Sequence, residues 1–307
     1  MNKRHQRTAL ITGAAGFVGS HLVRRLAAEG WRVHIVVRPG SDLTILDDTR
    51  HLFAVHRHDG TTAGMLSIVE EIRPMVVFHL ASLFLAHHQH KDIEPLIVSN
   101  VLFSTQLVEA MTSSNVYNLI NTGTSWQHYE NKDYNPVCLY AATKQAFESI
   151  LQFYIETTAL KTITLKLFDT YGPRDPRSKL FSLLRDAAHK QITLAMSPGE
   201  QLIDIVYIDD VITAYMIAAE RLINNKVNQM ESYALRSGEP LKLRDLVEIY
   251  GRVTGKSLRV EWGRRPYRER EVMVPWNAGL LLPGWRAEVK PEDGIREMER
   301  IELGVSR

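Results

Sequence analysis

Apolar positions along this chain repeat with two periods, and their succession predicts an architecture. Ala9-Leu10-Ile11, Val33 to Val37 and Met75 to Leu80 are short continuous apolar runs. Such runs read as strands buried on both faces of a parallel sheet. Leu52 to His56 and Tyr117 to Asn121 supply two more. Between them the spacing becomes helical. Val18, Leu22, Val23 and Leu26 share one face and stop at Gly30, and Met65 to Ile72 stops before Pro74. Leu96, Ile97, Val101, Leu107, Val108 and Met111 mark a long helix from Glu94 to Ser113. Asn100 is the polar exception on that apolar side and reads as a buried, satisfied amide. Another helix opens at Tyr140 and continues through Phe147, Ile150, Leu151 and Tyr154. Ser178 to His189, Val211 to Leu222 and Leu243 to Val253 complete the helical stretches. Strands alternating with helices predict an α/β fold, a doubly wound parallel sheet covered on both faces.

The first strand leads into Thr12-Gly13-Ala14-Ala15-Gly16-Phe17-Val18-Gly19. The three glycines have separate tasks in a dinucleotide-binding strand–turn–helix unit. Gly13 permits the tight turn, Gly16 lets backbone N–H groups approach a pyrophosphate, and Gly19 allows helix to pack on sheet. Gly13, Ala15, Gly16, Phe17 and Val18 are thus the candidate phosphate cradle at a helix N-terminus. The second strand closes on Val37-Arg38, with Ser41 nearby. An acid at that position selects NAD through the ribose hydroxyls, whereas an arginine pairs with a 2′-phosphate. Arg38 and Ser41 therefore favour NADP(H), with NAD(H) the alternative and Asp42 a competing ribose ligand. Asp59-Gly60 offers an acceptor for the adenine amino group, and is equally a common turn. Leu80-Ala81-Ser82 ends the fourth strand, where open parallel sheets bind ligands.

Tyr140 and Lys144 are four residues apart and so project from one helix face. An unperturbed phenol titrates near 10 and is a poor catalyst at neutral pH. A neighbouring ammonium, reinforced by an oxidised nicotinamide, is expected to lower that value. Thr124, at the preceding strand end, is placed to hydrogen-bond both a substrate oxygen and the phenol. This set suits hydride transfer to a carbonyl with Tyr140 as proton donor.

The remaining features narrow the classes. A formal net charge of +2 offers no basis for nucleic-acid or anionic-membrane binding. The single cysteine, Cys138, fits a reducing compartment. No apolar run reaches the roughly 18 residues of a membrane span. The basic opening, Met1 to Arg7, runs into a strand rather than an apolar signal core, so a cytoplasmic location is expected. His87, His88 and His90 lie in one loop with no completing cysteine or carboxylate motif, and no metal site is expected.

Thr-Gly-Ala-Ala-Gly-Phe-Val-Gly, the hydroxyl-rich strand end at Thr122 to Ser125, and Tyr140-Ala-Ala-Thr-Lys144 together resemble an extended short-chain dehydrogenase/reductase of the nucleotide-sugar epimerase/dehydratase branch. Leu165 to Pro173 and Gly199 to Val211 resemble later segments of that family. The resemblance implies a Rossmann-type domain over 1–172, rejoined by 203–224. It implies a smaller C-terminal α/β substrate lobe from 173–202 and 225–307, and a homodimer through the two long helices. It also implies a nucleotide-linked sugar as substrate. Sugar-nucleotide dehydratases carry an Asp-Glu pair after the threonine, where this chain has Ser125-Trp126-Gln127, so dehydration is not expected. Ile203 stands where many members have a diphosphate-binding arginine. The clamp must then come from Arg174, Lys179 or the Arg264 to Arg268 run, with Lys179, Arg268, Ser125 and Asp169 the candidate substrate contacts. The pattern most resembles 4-ketoreductases of CDP-linked deoxysugars. A nucleotide-sugar 4-epimerase is the alternative. A small-molecule carbonyl reductase would share the same catalytic residues, and a cofactor-sensing protein would ordinarily lack the Tyr–Lys pair.

Overall fold

Seven parallel strands form the central sheet of the computed structural model, which describes residues 6–304. Met1 to His5 of the basic opening lie outside the described residues. The chain enters through β1 (Thr8–Thr12), α1 (Phe17–Ala28), β2 (Arg32–Val37), β3 (Phe53–Arg57), α2 (Thr62–Ile72) and β4 (Val76–His79). It continues through α3 (Ile93–Ile97), α4 (Phe103–Ser113), β5 (Asn118–Thr124), α5 (Leu139–Thr157) and β6 (Lys161–Leu167). The remaining elements are β7 (Asp169–Tyr171), α6 (Leu180–Lys190), β8 (Thr193–Ala195), β9 (Leu202–Ile203), β10 (Ile205–Tyr207), α7 (Ile208–Ile223), β11 (Met230–Leu235), β12 (Leu241–Lys242), α8 (Leu243–Thr254), β13 (Arg259–Glu261) and α9 (Pro291–Glu302).

The sheet order is β3-β2-β1-β4-β5-β6-β11. Direction of winding reverses between β1 and β4, which opens a crevice at their carboxyl ends. The expected two-face burial is realised by period-two alternation. Ala9, Ile11, Val33, Ile35 and Phe78 pack towards α1 and α7, whereas Leu10, Val36, Val77 and Leu119 pack towards α2, α4 and α5.

Three features differ from the sequence expectation. The long helix over 93–113 is interrupted by a π turn, Val98–Leu102. Strand β5 runs on to Thr124, because its polar end pairs with β6 in the register Thr122↔Leu165 and Thr124↔Leu167. Strand β11, expected within the C-terminal lobe, instead pairs with β6 and forms the sheet's edge, so 230–235 belongs to the sheet. Its inward residues Tyr233 and Leu235 join the main core, which explains the placement.

Beyond the sheet, β7 pairs with β10, β9 with β12 and β8 with β13. Two buried acids hold the late segments in place. Asp204 accepts the N–H groups of Ser237 (2.7 Å) and Gly238 (3.0 Å). Asp210 accepts those of Glu288 and Val289, both at 3.0 Å, while Trp285 Nε1 donates to the Asp210 carbonyl. Among the described residues no helix is long and apolar enough to cross a membrane.

Candidate active site

The glycine turn sits in the crevice at the β1/β4 reversal. Gly13 has φ +75°, and a Cβ there would lie 2.6 Å from the Ala81 nitrogen. A Cβ on Gly19 would collide with the Gly13 carbonyl. Helix α1 follows Gly16 at its N-cap, with no side-chain cap and no acid in its first turn, so its leading N–H groups are open to an anion. A buried chain fixes the crevice floor: Thr12 Oγ1 meets His79 Nδ1, and His79 Nε2 meets Ser104 Oγ, each at 2.8 Å. Burial holds His79 well below the usual imidazole range, hence neutral.

A groove of about 690 Å³ leads away from this turn. Gly13, Ala15, Gly16, Leu80, Ala81 and Ser82 line its inner end, and Arg38, Ser41, Asp59 and Gly60 its outer end. Phe17 and Val18 line the adjoining chamber. Pro39-Gly40 makes a tight turn in which Ser41 N donates to the Arg38 carbonyl at 3.1 Å, setting Ser41 beside Arg38. Asp42 is not among the residues lining the groove and accepts from Thr44 N at 2.9 Å. Asp59 Oδ1 accepts from both Thr61 N and Thr61 Oγ1 at 2.8 Å, the Asp-Gly turn anticipated beside its adenine-binding reading. The glycine cradle, the uncapped helix and the long groove fit a dinucleotide.

Tyr140, Thr124, Ser82, Phe84 and Phe168 line the chamber next to Gly13 and Phe17. Thr124 Oγ1 accepts from Trp126 N at 3.3 Å, which leaves its hydrogen to donate. The phenol departs from expectation. Burial pushes Tyr140 up to about 12, while a Ser82 hydrogen bond and the Arg177 charge pull it down. Lys144 is not among the groups that set it. Lys144 is itself buried (1% exposed) and driven down to about 8 by desolvation, with Glu148 acting the other way.

A second cleft, about 420 Å³, opens from this chamber. The two share Phe84, Ser125, Trp126, Phe168, Asp169 and Lys179, and Arg268 lines the cleft. Lys179 Nζ lies 4.8 Å over the Phe84 ring and 3.9 Å from Asp169. The Arg268 guanidinium lies 5.5 Å over Trp126. Arg174 is turned outward to Asp48 at 2.9 Å, and neither it nor Arg264 or Arg265 lines the cleft. His90 belongs to a helical turn that Gln89 and Asp92 close with a capping box.

A family model described as the NAD dependent epimerase/dehydratase family matches residues 9–230, well over half of the chain. The chain belongs to that family. It is thereby an NAD(P)-dependent enzyme of the extended short-chain dehydrogenase/reductase type. It is 26% identical to a CDP-abequose synthase of Salmonella muenchen over 292 residues, covering 94% of this chain and 96% of the relative. A UDP-glucose 4-epimerase of Mycolicibacterium smegmatis is 29% identical over 230 residues, 68% of this chain and 72% of the relative. The crystal structure of UDP-glucose 4-epimerase with UDP-glucose from Thermotoga maritima has a TM-score of 0.84 at 23% identity, covering 97% of this chain and 100% of that one. The Thermus thermophilus UDP-glucose 4-epimerase complex with NAD has a TM-score of 0.80 at 25% identity, with the same coverage.

Within the epimerase/dehydratase fold, sequence reasoning missed several lining residues. Val98, Leu102 and Phe103 reach the groove from the π turn and α4, and Gln106 Nε2 donates to Gly60 O at 3.0 Å. Trp276 walls the cleft, stacked on His128 with ring centroids 3.8 Å apart. Behind it lies a buried polar set. Lys166 Nζ meets His128 Nε2 at 2.8 Å and Glu148 at 3.3 Å. Gln127 donates to Glu148 at 2.9 Å and takes the Thr124 N–H at 3.0 Å. Gln127 was the legible clue, an amide three residues after Thr124. Trp276 lies far downstream and carried no local signal.

Proposed function

We propose that this enzyme reduces the C4 keto group of a nucleotide-linked 4-keto-deoxysugar, favouring a CDP-linked one, with NADPH as reductant. The observation that carries the reading is the wall around Tyr140. Phe84, Trp126 and Phe168 present aromatic surface where the sugar would meet the phenol, a surface suited to deoxygenated carbons. The near full-length similarity to CDP-abequose synthases supports the same reading.

Tyr140, still protonated because burial holds its proton, donates to the carbonyl oxygen as that oxygen becomes an alkoxide. When bound, NADPH supplies the hydride. The carbonyl thereby becomes a secondary alcohol, with one proton consumed and NADP⁺ formed. Thr124 orients the keto oxygen through its free hydroxyl hydrogen, and Lys144 holds the nicotinamide ribose. Gly13, Ala15, Gly16, Phe17 and Val18 would hold the pyrophosphate, Asp59 and Gly60 the adenine, and Leu80 to Ser82 the nicotinamide side. Arg38 and Ser41 would take the 2′-phosphate. Lys179 and Arg268 would clamp the substrate diphosphate, with Ser125 and Asp169 on the sugar. Positions 125 and 126, a hydroxyl and an indole, supply no carboxylate for dehydration. We assign 173–202 and the chain beyond β11 to a substrate lobe, and infer a homodimer and a cytoplasmic location.

The deciding experiment follows NADPH absorbance with a CDP-linked 4-keto-deoxysugar. Steady consumption is expected, reduced about 10²- to 10⁴-fold by Tyr140→Phe, the usual range for loss of a general acid. A second reading, a nucleotide-sugar 4-epimerase, draws support from the 4-epimerase relative at 29% identity. Interconversion of substrate epimers without net cofactor consumption would replace the reductase reading with it.

A further inference from the structure

Arg177 has no part in the roles assigned so far, yet it stands where the dinucleotide groove and the cleft meet. It lines both the chamber holding Gly13, Gly16 and Phe17 and the cleft holding Lys179. Its guanidinium lies 4.6 Å over the ring of Phe17, the first residue of α1. One edge is committed. Nε donates to Asp175 Oδ1 and Nη2 to Asp175 Oδ2, each at 2.7 Å, and Nη2 also donates to the Thr170 carbonyl at 2.9 Å. Nη1 has no protein partner among the described residues. The loop is pinned to α1 a second time, since His21 Nε2 lies 3.1 Å from the Pro173 carbonyl. Burial drives His21 down to about 4, so the ring is neutral and that nitrogen carries the donated hydrogen.

A cation at a helix N-terminus opposes the helix dipole and is unfavourable without an anion. Asp175 answers only the far edge of this one. We propose that Arg177 takes the pyrophosphate of the dinucleotide on Nη1, from the side opposite the α1 N–H groups. The anion is then held between two elements, α1 and the 172–179 loop that continues to Lys179. Dinucleotide binding thus sets the position of Lys179 before the nucleotide sugar arrives. The Nη1 contact requires only a dinucleotide site, while its coupling to Lys179 rests on the substrate clamp proposed above. Neither depends on whether the enzyme is a reductase or an epimerase.

The test uses calorimetric binding of two fragments to the full chain, ADP-ribose, which carries the pyrophosphate, and adenosine 2′-monophosphate, which does not. Arg177→Met is expected to weaken ADP-ribose about tenfold to a hundredfold, the loss of a charge-assisted hydrogen bond, and to leave adenosine 2′-monophosphate unchanged. Arg177→Lys should recover only part of the loss, since a lysine cannot pair with Asp175 and the phosphate together. CDP should bind more tightly to the wild type when ADP-ribose is present, and this gain should vanish in Arg177→Met. Unchanged ADP-ribose affinity with weaker CDP would overturn the assignment and give Arg177 to the substrate diphosphate. Equal loss of both adenine fragments would also overturn it, leaving Arg177 a structural partner of Asp175.

Discussion

Lys144 shows how burial and chemistry pull against each other at a single side chain. Its folded value of about 8 lies below the free-lysine value of 10.5. Below pH 8 both folded and unfolded chains carry the proton, and the full desolvation cost of order 3 kcal/mol is present. Between about 8 and 10.5 the folded chain binds fewer protons, so stability from this residue rises with pH. Lys144→Met should therefore stabilise the cofactor-free protein at neutral pH, and urea midpoints should show that advantage shrinking as pH rises through this window. Arg38 gives a second prediction. Arg38→Asp should favour NADH over NADPH, and an unchanged ratio of kcat/KM values for the two would remove the 2′-phosphate assignment. Tyr140 and Thr124 were legible as lining residues because a helix start and a strand end set both on one chamber, with Lys144 one turn further along α5. The direction of the phenol's shift was not, since burial depends on Phe84 and other residues distant in sequence. Arg177 was hidden for a related reason: an arginine two residues from an aspartate looks like an ordinary surface pair.

At the scale of elements, the β1–α1 unit is the most constrained. Gly19→Ala would drive a methyl into the Gly13 carbonyl, and backbone on both sides leaves little room to yield. The helix must lift from the strand, costing about 1–3 kcal/mol as overpacking does. A lower urea midpoint with weakened ADP-ribose binding is the expected result. Gly30→Ala, with open space around it, should cost less, chiefly through its φ of +78°. Most elements could be read from periodicity alone. The π turn at 98–102 could not, because a single i→i+5 turn inside an α-helix is a backbone arrangement that no one residue type marks. It matters nonetheless: Asn100 within it accepts from Leu83 N at 2.7 Å and donates to Leu83 O and Thr143 Oγ1. The amide reading was right about satisfaction, and its partners show why the residue is there. It anchors the loop that carries Ser82 and Phe84 to Tyr140.

For the whole molecule, the doubly wound parallel sheet and a ligand site at its carboxyl ends followed from the strand–helix alternation, whereas the edge position of β11 did not. Nothing local in 230–235 says which neighbour a strand will pair with. The helices α3 and α5 leave Ile93 (42%), Ile97 (43%) and Phe153 (62%) exposed on adjacent elements. If they meet a second copy, Ile97→Asp with Phe153→Asp should yield monomers in sedimentation while preserving ADP-ribose affinity. A wild-type monomer would remove the dimer assignment.

The two halves of the active site draw on very different lengths of chain. Every residue lining the dinucleotide groove lies between Gly13 and Gln106, whereas the cleft needs Trp276, Met298 and Glu302. During synthesis on a ribosome the groove's residues all emerge while the cleft's far wall is still unmade. A premature stop between Arg177 and Trp276 would release a chain with the groove's full lining and a cleft without its far wall.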